Sequence, residues 1–282
     1  MIKMIKEEES RIITKKFIHC DDIVKIYVSG PNSVTALRGI TFKFQSGNTY
    51  VIFGPSGAGK STLLSIIGGL DIPSSGTINF NNQFSITNEN MDLFDFRIKN
   101  ISFIFQEPIF IPFLTVTENI KFFAKRKGER LKEKINDVLE KTNLLKRKTA
   151  YPYQLSGGEK QRLSIAIALS LNNNIWLCDE PTGTLDSENK TQIMNLLKQI
   201  ISNDPSKILI IVTHDPLFQK IADKILILKD GTFELEMNRE EFDKFSRKTV
   251  LYETLDKDLA DTIQQQRILK KLEEIKNELT KE

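Results

Sequence analysis

The run "TYVIFGPSGAGKSTLLSIIGGL", residues 49–70, limits the fold of this chain more than any other stretch. TYVIF is β-branched and aromatic and stops at Gly54–Pro55, so it reads as a strand. The apolar positions of STLLSIIGGL fit a helix that ends at Gly68–Gly69. The loop between them fits the pattern G-x-x-x-x-G-K-[ST]. Gly54, Gly57 and Gly59 let the backbone curl with no Cβ in the way, so successive N–H groups converge on phosphate oxygens. Gly54, Pro55, Ser56, Gly57, Ala58, Gly59, Lys60, Ser61 and Thr62 thus form a phosphate cradle. In it Lys60 brings a point charge to the β- and γ-phosphates and Ser61 brings a hydroxyl to Mg²⁺. An ordinary strand–turn–helix corner seldom carries Lys and Ser at those offsets.

The rest of the chain extends this beginning. "NNIWLCDE" and "KILIIVTHD" are apolar strands separated by the helix "SENKTQIMNLLKQIISND", and "NISFIF" is a further strand. Such alternation implies right-handed βαβ units and a mostly parallel, covered sheet. Residues 23–28 and 40–44 suggest an antiparallel pair ahead of the core, "GTINFNN" another strand, and "KILILKDGTFELE" a closing hairpin over Asp230–Gly231. Residues 107–155 read as a charged helical insertion between core strands. From Asn238 to Glu282 the chain has no glycine or proline; Leu251, Leu255, Leu259 and Ile263, then Ile268, Leu272, Ile275 and Leu279, predict one or two amphipathic helices.

Composition excludes some classes. The chain has 282 residues, 40% hydrophobic and 27% charged, the balance of an ordinary soluble protein. A net charge of +3 gives no argument for nucleic acid. The charged start is no secretory signal, and no apolar run approaches the roughly 18 residues of a membrane span. Cys20 and Cys178 lie far apart and suggest a reducing compartment, with Cys178 a small buried side chain.

Polar residues at strand ends supply the remaining chemistry. Asp179, ending a buried strand, needs a cation, and Mg²⁺ held by Ser61 is the natural one. Glu180 beside it is a candidate base for an attacking water. Gln106 follows "ISFIF" and His214 follows "ILIIVT", so both emerge where ligands of such sheets bind. Each of these also reads as an ordinary capping or hydrogen-bonded polar residue. His19 has no such context. "LSGGEKQRLS", residues 155–164, opens a second helix with free N–H groups, which one nucleotide in one chain does not need.

Taken together, these elements resemble the ATP-binding cassette (ABC) family over residues 17–237, in family order and spacing. The resemblance implies an α/β fold: a P-loop NTPase core with a mostly parallel sheet, an antiparallel β subdomain and a helical signature subdomain over about 107–170. It implies a leader at 1–16 and an added helical extension at 238–282. It makes 54–62 the Walker A loop, Gln106 the Q-loop glutamine and a metal ligand, and Asp179 and Glu180 Walker B and the catalytic glutamate. Asp186 ends the D-loop, His214 is the switch histidine, and Tyr27 stands where the family puts an aromatic under adenine. Ser156, Gly157 and Gly158 of the signature then face ATP in another subunit. "GGLDIPSSGTI", "LTVTENI" and "DEPTGTLD" are similar to the lipoprotein-releasing and macrolide-export cassettes; Pro108, Ile167, Thr184 and the tail depart from them.

The resemblance also implies an ATPase using ATP and Mg²⁺. It would pair with a second cassette, identical or not, and dock on a separate integral membrane subunit from the cytoplasmic face. The apolar stretch Ile109–Leu114 suits that docking, or else packs the insertion onto the core. A soluble mechanical cassette acting on nucleic acid or ribosomes, and a regulatory ATPase, are the alternatives. One Walker A loop and no long coiled coil speak against the first of these, and nucleic acid is not an expected partner.

Overall fold

The computed structural model describes residues 16–89, 93–126, 135–183 and 185–244. They fall into two units divided between Glu236 and Met237. In the first unit, β1 (Phe17–Ser29), β2 (Asn32–Gln45), β4 (Ser75–Phe80) and β5 (Phe84–Ile86) form an antiparallel sheet in the order β2-β1-β4-β5. A second, six-stranded sheet has the order β10-β9-β3-β8-β7-β6. Its strands are β3 (Thr49–Phe53), β6 (Ile101–Ile104), β7 (Ile175–Asp179), β8 (Ile208–Val212), β9 (Lys224–Lys229) and β10 (Thr232–Met237). The pairs β3–β8, β3–β9, β6–β7 and β7–β8 are parallel, as the βαβ alternation predicts.

Helix α1 (Lys60–Ile67) packs against β2 of one sheet and β7 and β8 of the other. Leu63, Leu64, Ile66 and Ile67 are all buried, because a helix covered on both sides must be apolar around most of its girth. They join both sheets into one core with Phe44, Ile52, Leu177 and Ile210. Helix α2 (Phe94–Asn100), which has no counterpart among the elements expected from sequence, leads straight into β6. Helices α3 (Val116–Arg126) and α4 (Ile135–Lys141) occupy the insertion. They bury Val116, Ile120, Val138 and Leu139 against Leu163 and Ala166 of α5 (Gly157–Leu171), a second core separate from the first. Helix α6 (Ser187–Ser202) connects β7 to β8.

The expected hairpin closes on Asp230 and Gly231 at φ 46° and 79°, as a two-residue turn between twisted strands requires. Two strands are longer than the sequence implies: β1 and β2 reach 17–29 and 32–45. Buried Ile18 and Cys20 give way to exposed Asp21 and Asp22 before buried Ile23 and Lys25. The register shifts there, with Asp22 at φ 49°, so alternation resets and the period is lost to a sequence reading. Burial pushes the Cys20 thiol up to about 12 and the Cys178 thiol also upward, so both are inert side chains of the core. In the second unit a helical turn opens at 239–244, where Asn238 and Glu241 accept each other's backbone N–H at 3.0 and 2.6 Å. Thr184, the leader up to residue 15 and the eight periodic leucines and isoleucines from Leu251 to Leu279 lie outside the described residues.

Candidate active site

Four parallel strands, β3, β8, β7 and β6, deliver the candidate residues to one edge of the sheet. After β3 the chain turns through Gly57 at φ 81° and Gly59 at φ 99°. A Cβ on Gly59 would run into the Ala36 carbonyl, so both the left-handed backbone and the close approach of β2 demand glycine. The loop is tied down: Ala58 N–H donates to Pro55, Gly231 N–H donates to Ala58 at 3.1 Å, and Arg38 N–H donates to Gly231 at 2.9 Å. No side chain caps the start of α1, so its N–H groups stay open to an anion. Lys60 is 9% exposed and its Nζ lies 2.7 and 2.9 Å from the Gly54 and Pro55 carbonyls, inside the curl of the loop.

Ser61, second in the helix, donates to Asp179 Oδ1 at 3.1 Å. Burial raises the Asp179 carboxyl above its ordinary range, neighbouring Glu180 adds to this, and the Ser61 hydroxyl and Lys60 oppose it. A hydroxyl beside a half-buried carboxylate is a set of hard oxygen donors. It fits Mg²⁺, which takes one or two protein ligands and completes its shell with phosphate and water.

Glu180 has φ 44°, in the left-handed region. Its N–H still bonds the Val212 carbonyl at 2.9 Å, so the sheet fixes the backbone while the turn swings the side chain away from Asp179. The carboxylate reaches the segment after β8. Oε2 accepts from Thr213 Oγ1 at 2.9 Å and from the His214 N–H at 3.3 Å; Oε1 lies 2.9 Å from His214 Nδ1. The two adjacent acids are thus parted, one to the cradle and one to the histidine. Gln106, exposed just beyond the end of β6, has its amide beside the backbone of Gly183, and no hydrogen bond joins it to Ser61 or Asp179.

Tyr27 stands on β1 and is 44% exposed. Its hydroxyl donates to Asp71 Oδ2 at 2.8 Å and interacts with Thr62, the last residue of the cradle. Lys25, buried below it, holds Asp71 Oδ1 at 2.6 Å and the Ile72 carbonyl at 2.7 Å. No motif in the sequence marks Lys25 or Asp71 for this task, although Asp71 closes the run "GGLD".

The signature residues are not brought to the cradle of their own chain. Ser156 caps α5, and Glu159 bonds back to the Ser156 N–H at 2.9 Å while pairing with Arg147 at 2.7 Å. Gly157 and Gly158 face Leu185 and Asn189. Asp186 caps α6 and holds both the Asn189 N–H and its amide, at 2.9 and 2.8 Å. Arg162 of α5 donates to Asn189 and Gln192 at 3.1 and 3.2 Å and so fastens the signature helix to α6. Asp186 is therefore engaged as a helix cap in this chain. The apolar stretch divides: Phe110 packs on the insertion core, whereas Ile109 and Phe113 are 66% and 76% exposed.

Comparison with known proteins gives a consistent result. A family model described as ABC transporter matches residues 37–183. An uncharacterized ABC transporter ATP-binding protein of Methanocaldococcus jannaschii, MJ0796, is 37% identical over 233 residues, covering 80% of this chain and 99% of that protein. HrtA of Staphylococcus saprophyticus, an ATP-binding protein assigned to hemin import, is 38% identical over 74% of this chain and 95% of its own. Among solved structures, dimeric MJ0796 bound to ADP and Pi superposes with a TM-score of 0.72 at 35% identity, over 79% of this chain and 98% of that one. A Clostridium perfringens cassette, cbiO1, part of the transporter complex cbiONQ, gives 0.72 at 25% identity over 85% and 94%.

Proposed function

The chain belongs to the ABC transporter ATP-binding family, an ATPase family that uses ATP and Mg²⁺, and we propose that it works as half of a two-cassette engine on a separate membrane subunit. The observation that carries this reading is the parting of Asp179 and Glu180 at the strand edge. One carboxylate joins Ser61 at the phosphate loop, and the other joins the Thr213–His214 segment. Residues 54–62 hold the phosphates, Lys60 contacts the β- and γ-phosphates, and Tyr27 stacks on the base. Ser61 and Asp179, with Gln106, hold the metal, which when bound neutralises charge on the phosphates. Glu180 takes a proton from the attacking water, and His214 steadies the water and the γ-phosphate.

Ser156, Gly157 and Gly158 then complete the site of a second copy. In their own chain they face the D-loop side and not the phosphate loop, and an uncapped Walker A helix meets a capped signature helix across a dimer. The dimeric state of MJ0796 supports this arrangement. Hydrolysis removes the phosphate that bridges the two copies, so the energy appears as their opening. Ile109 and Phe113 form the docking surface for a cytoplasmic helix of the membrane subunit. Their loop is held by buried Asn119, whose amide bonds the Ile111 N–H and the carbonyls of Ile111, Leu114 and Thr115 at 2.8–3.1 Å. Among the described residues no helix is long and apolar enough to cross a membrane. The chain on this reading sits peripherally on the cytoplasmic face.

Glu180→Gln tests the assignment. Turnover should fall about 10²–10⁴-fold with ATP binding intact, and ATP should then drive dimerisation. A bulky residue at Ser156 should abolish that dimer. Unchanged hydrolysis in the first variant, or persistent dimerisation in the double variant, refutes the respective half. Co-purification of an integral membrane protein from detergent extracts tests the partner, and recovery of ribosomes or DNA instead would sink it.

A further inference from the structure

We propose that Thr213 is a positioning residue for hydrolysis: its hydroxyl anchors one carboxylate oxygen of Glu180 so that the other is aimed at the attacking water. The proposal rests on Glu180 being the base.

Thr213 follows β8, is fully buried, and donates its N–H to the Ile52 carbonyl of β3 at 3.1 Å. It is therefore locked to the strand that leads into the phosphate loop. The Thr213 hydroxyl accepts from the Asp215 N–H at 3.0 Å and donates to Glu180 Oε2 at 2.9 Å. A hydroxyl has a single proton; with the Asp215 amide on a lone pair, that proton is directed at Glu180. Asp215 is itself held, by Lys190 of α6 at 2.8 Å and by the Leu217 N–H at 3.0 Å. A continuous chain of polar contacts thus runs from α6 through Asp215 and Thr213 to the carboxylate.

The two carboxylate oxygens differ as a result. Oε2 takes the buried hydroxyl and a backbone N–H, and is the anchor. Among the described residues Oε1 is bonded by the His214 ring alone, and that side chain is 72% exposed, so Oε1 is the oxygen on the side that leads to solvent. In hydrolysis the water oxygen bonds to the γ-phosphorus and the bond from that phosphorus to the β,γ-bridging oxygen breaks. The water proton goes to Oε1, and ADP leaves with the bridging oxygen. A carboxylate free to rotate about its last bond would present either oxygen, and misplacement by about 1 Å can cost roughly 10²-fold in rate.

Thr213→Val keeps the shape and removes the donor; Thr213→Ser keeps the donor. With Thr213→Val, kcat should fall about 10–10²-fold while the KM for ATP changes less than about threefold. Thr213→Ser should restore kcat to within about threefold of the parent. Single-turnover hydrolysis in the Glu180→Gln background isolates the coupling: there Thr213→Val should have no further effect, because it acts through the lost carboxylate. An unchanged kcat in Thr213→Val overturns the proposal, and so does an equal drop in the Glu180→Gln background. If Glu180→Gln alone leaves hydrolysis intact, the base assignment fails, which is a separate result. Should the valine variant not fold, Thr213→Ala, which leaves room for water, takes its place in each comparison.

Discussion

Gly158→Ala sets two effects of known sign against each other. In the second position of a helix, alanine in place of glycine ordinarily stabilises by about 1 kcal/mol at most. Here the new Cβ would overlap the Asn189 amide and come within 3.2 Å of Asn189 Cβ, so rotating the amide does not clear the space. The amide is also engaged, donating to Asp186 at 2.8 Å and accepting from Arg162 at 3.1 Å. The Asp186 tie is exposed and counts for little, whereas the part-buried Arg162 bond contributes about 1.5 kcal/mol and forcing a methyl into the packed space costs about 1.5 kcal/mol more. Against the helical gain of about 1 kcal/mol the net effect is destabilising by about 2 kcal/mol. For a domain of this size that is a fall of about 4–8 °C in thermal midpoint, measured by calorimetry without nucleotide. In an Asn189→Ala background the amide is gone and only the 3.2 Å Cβ contact remains, so Gly158→Ala should be close to neutral, within about 2 °C. A rise in the parent background, or an equal fall in both, refutes the reasoning.

The other predictions concern the site and the docking loop. Tyr27→Phe keeps the ring and loses the Asp71 tie; nucleotide affinity in the Glu180→Gln background should weaken about fivefold by calorimetric titration, equivalent to about 1 kcal/mol. Affinity equal to the parent would mean the tie does not matter. Burial raises the Asp179 carboxyl, so its charged form costs stability at neutral pH and that cost fades as pH falls. Asp179→Asn should therefore raise the thermal midpoint at pH 7 with the gap narrowing in acid, while Mg²⁺-dependent nucleotide binding is lost; a lower midpoint at pH 7 contradicts this. Asn119→Ala removes four bonds from the 111–115 loop and should destabilise by about 3 kcal/mol. Basal ATPase should survive and stimulation by a membrane subunit should not, and the reverse pattern would remove the loop from docking.

Strong local signals made part of the molecule legible in its sequence. TYVIF, IWLCD and ILIIV are short, apolar and sharply bounded, and each is a fully or almost fully buried strand of the parallel sheet. Spacing from those strands places Lys60, Ser61 and Asp179, and puts Glu180 and His214 at neighbouring strand ends. The pieces without a sequence signal depend on tertiary contact. Helix α2 has only seven residues and one buried side chain, Phe96, too little for a period to show. Lys25 and Asp71 are 46 positions apart and gain meaning only when β1 passes the end of α1. Thr213 carries a weak signal, a hydroxyl just before the strand-end histidine, but its donor direction depends on an amide two residues on. Asp186 reads as a site residue because of its motif; in the single chain its carboxylate serves α6.

The order β3-β8-β7-β6 also acts as a ruler. Neighbouring strands stand about 4.8 Å apart, so the histidine, the two acids and the glutamine issue one, two and three steps from the phosphate loop, over a span of about 14 Å. That width is quantised: a strand can be added or lost, but no substitution within the sheet slides one group by a fraction of a step. Fine adjustment is left to what lies beyond the strand ends, such as the left-handed turn at Glu180 and the hydroxyl of Thr213. Variation that tunes turnover in chains of this kind should therefore collect in those few terminal residues, while the strands themselves tolerate change only in how they pack.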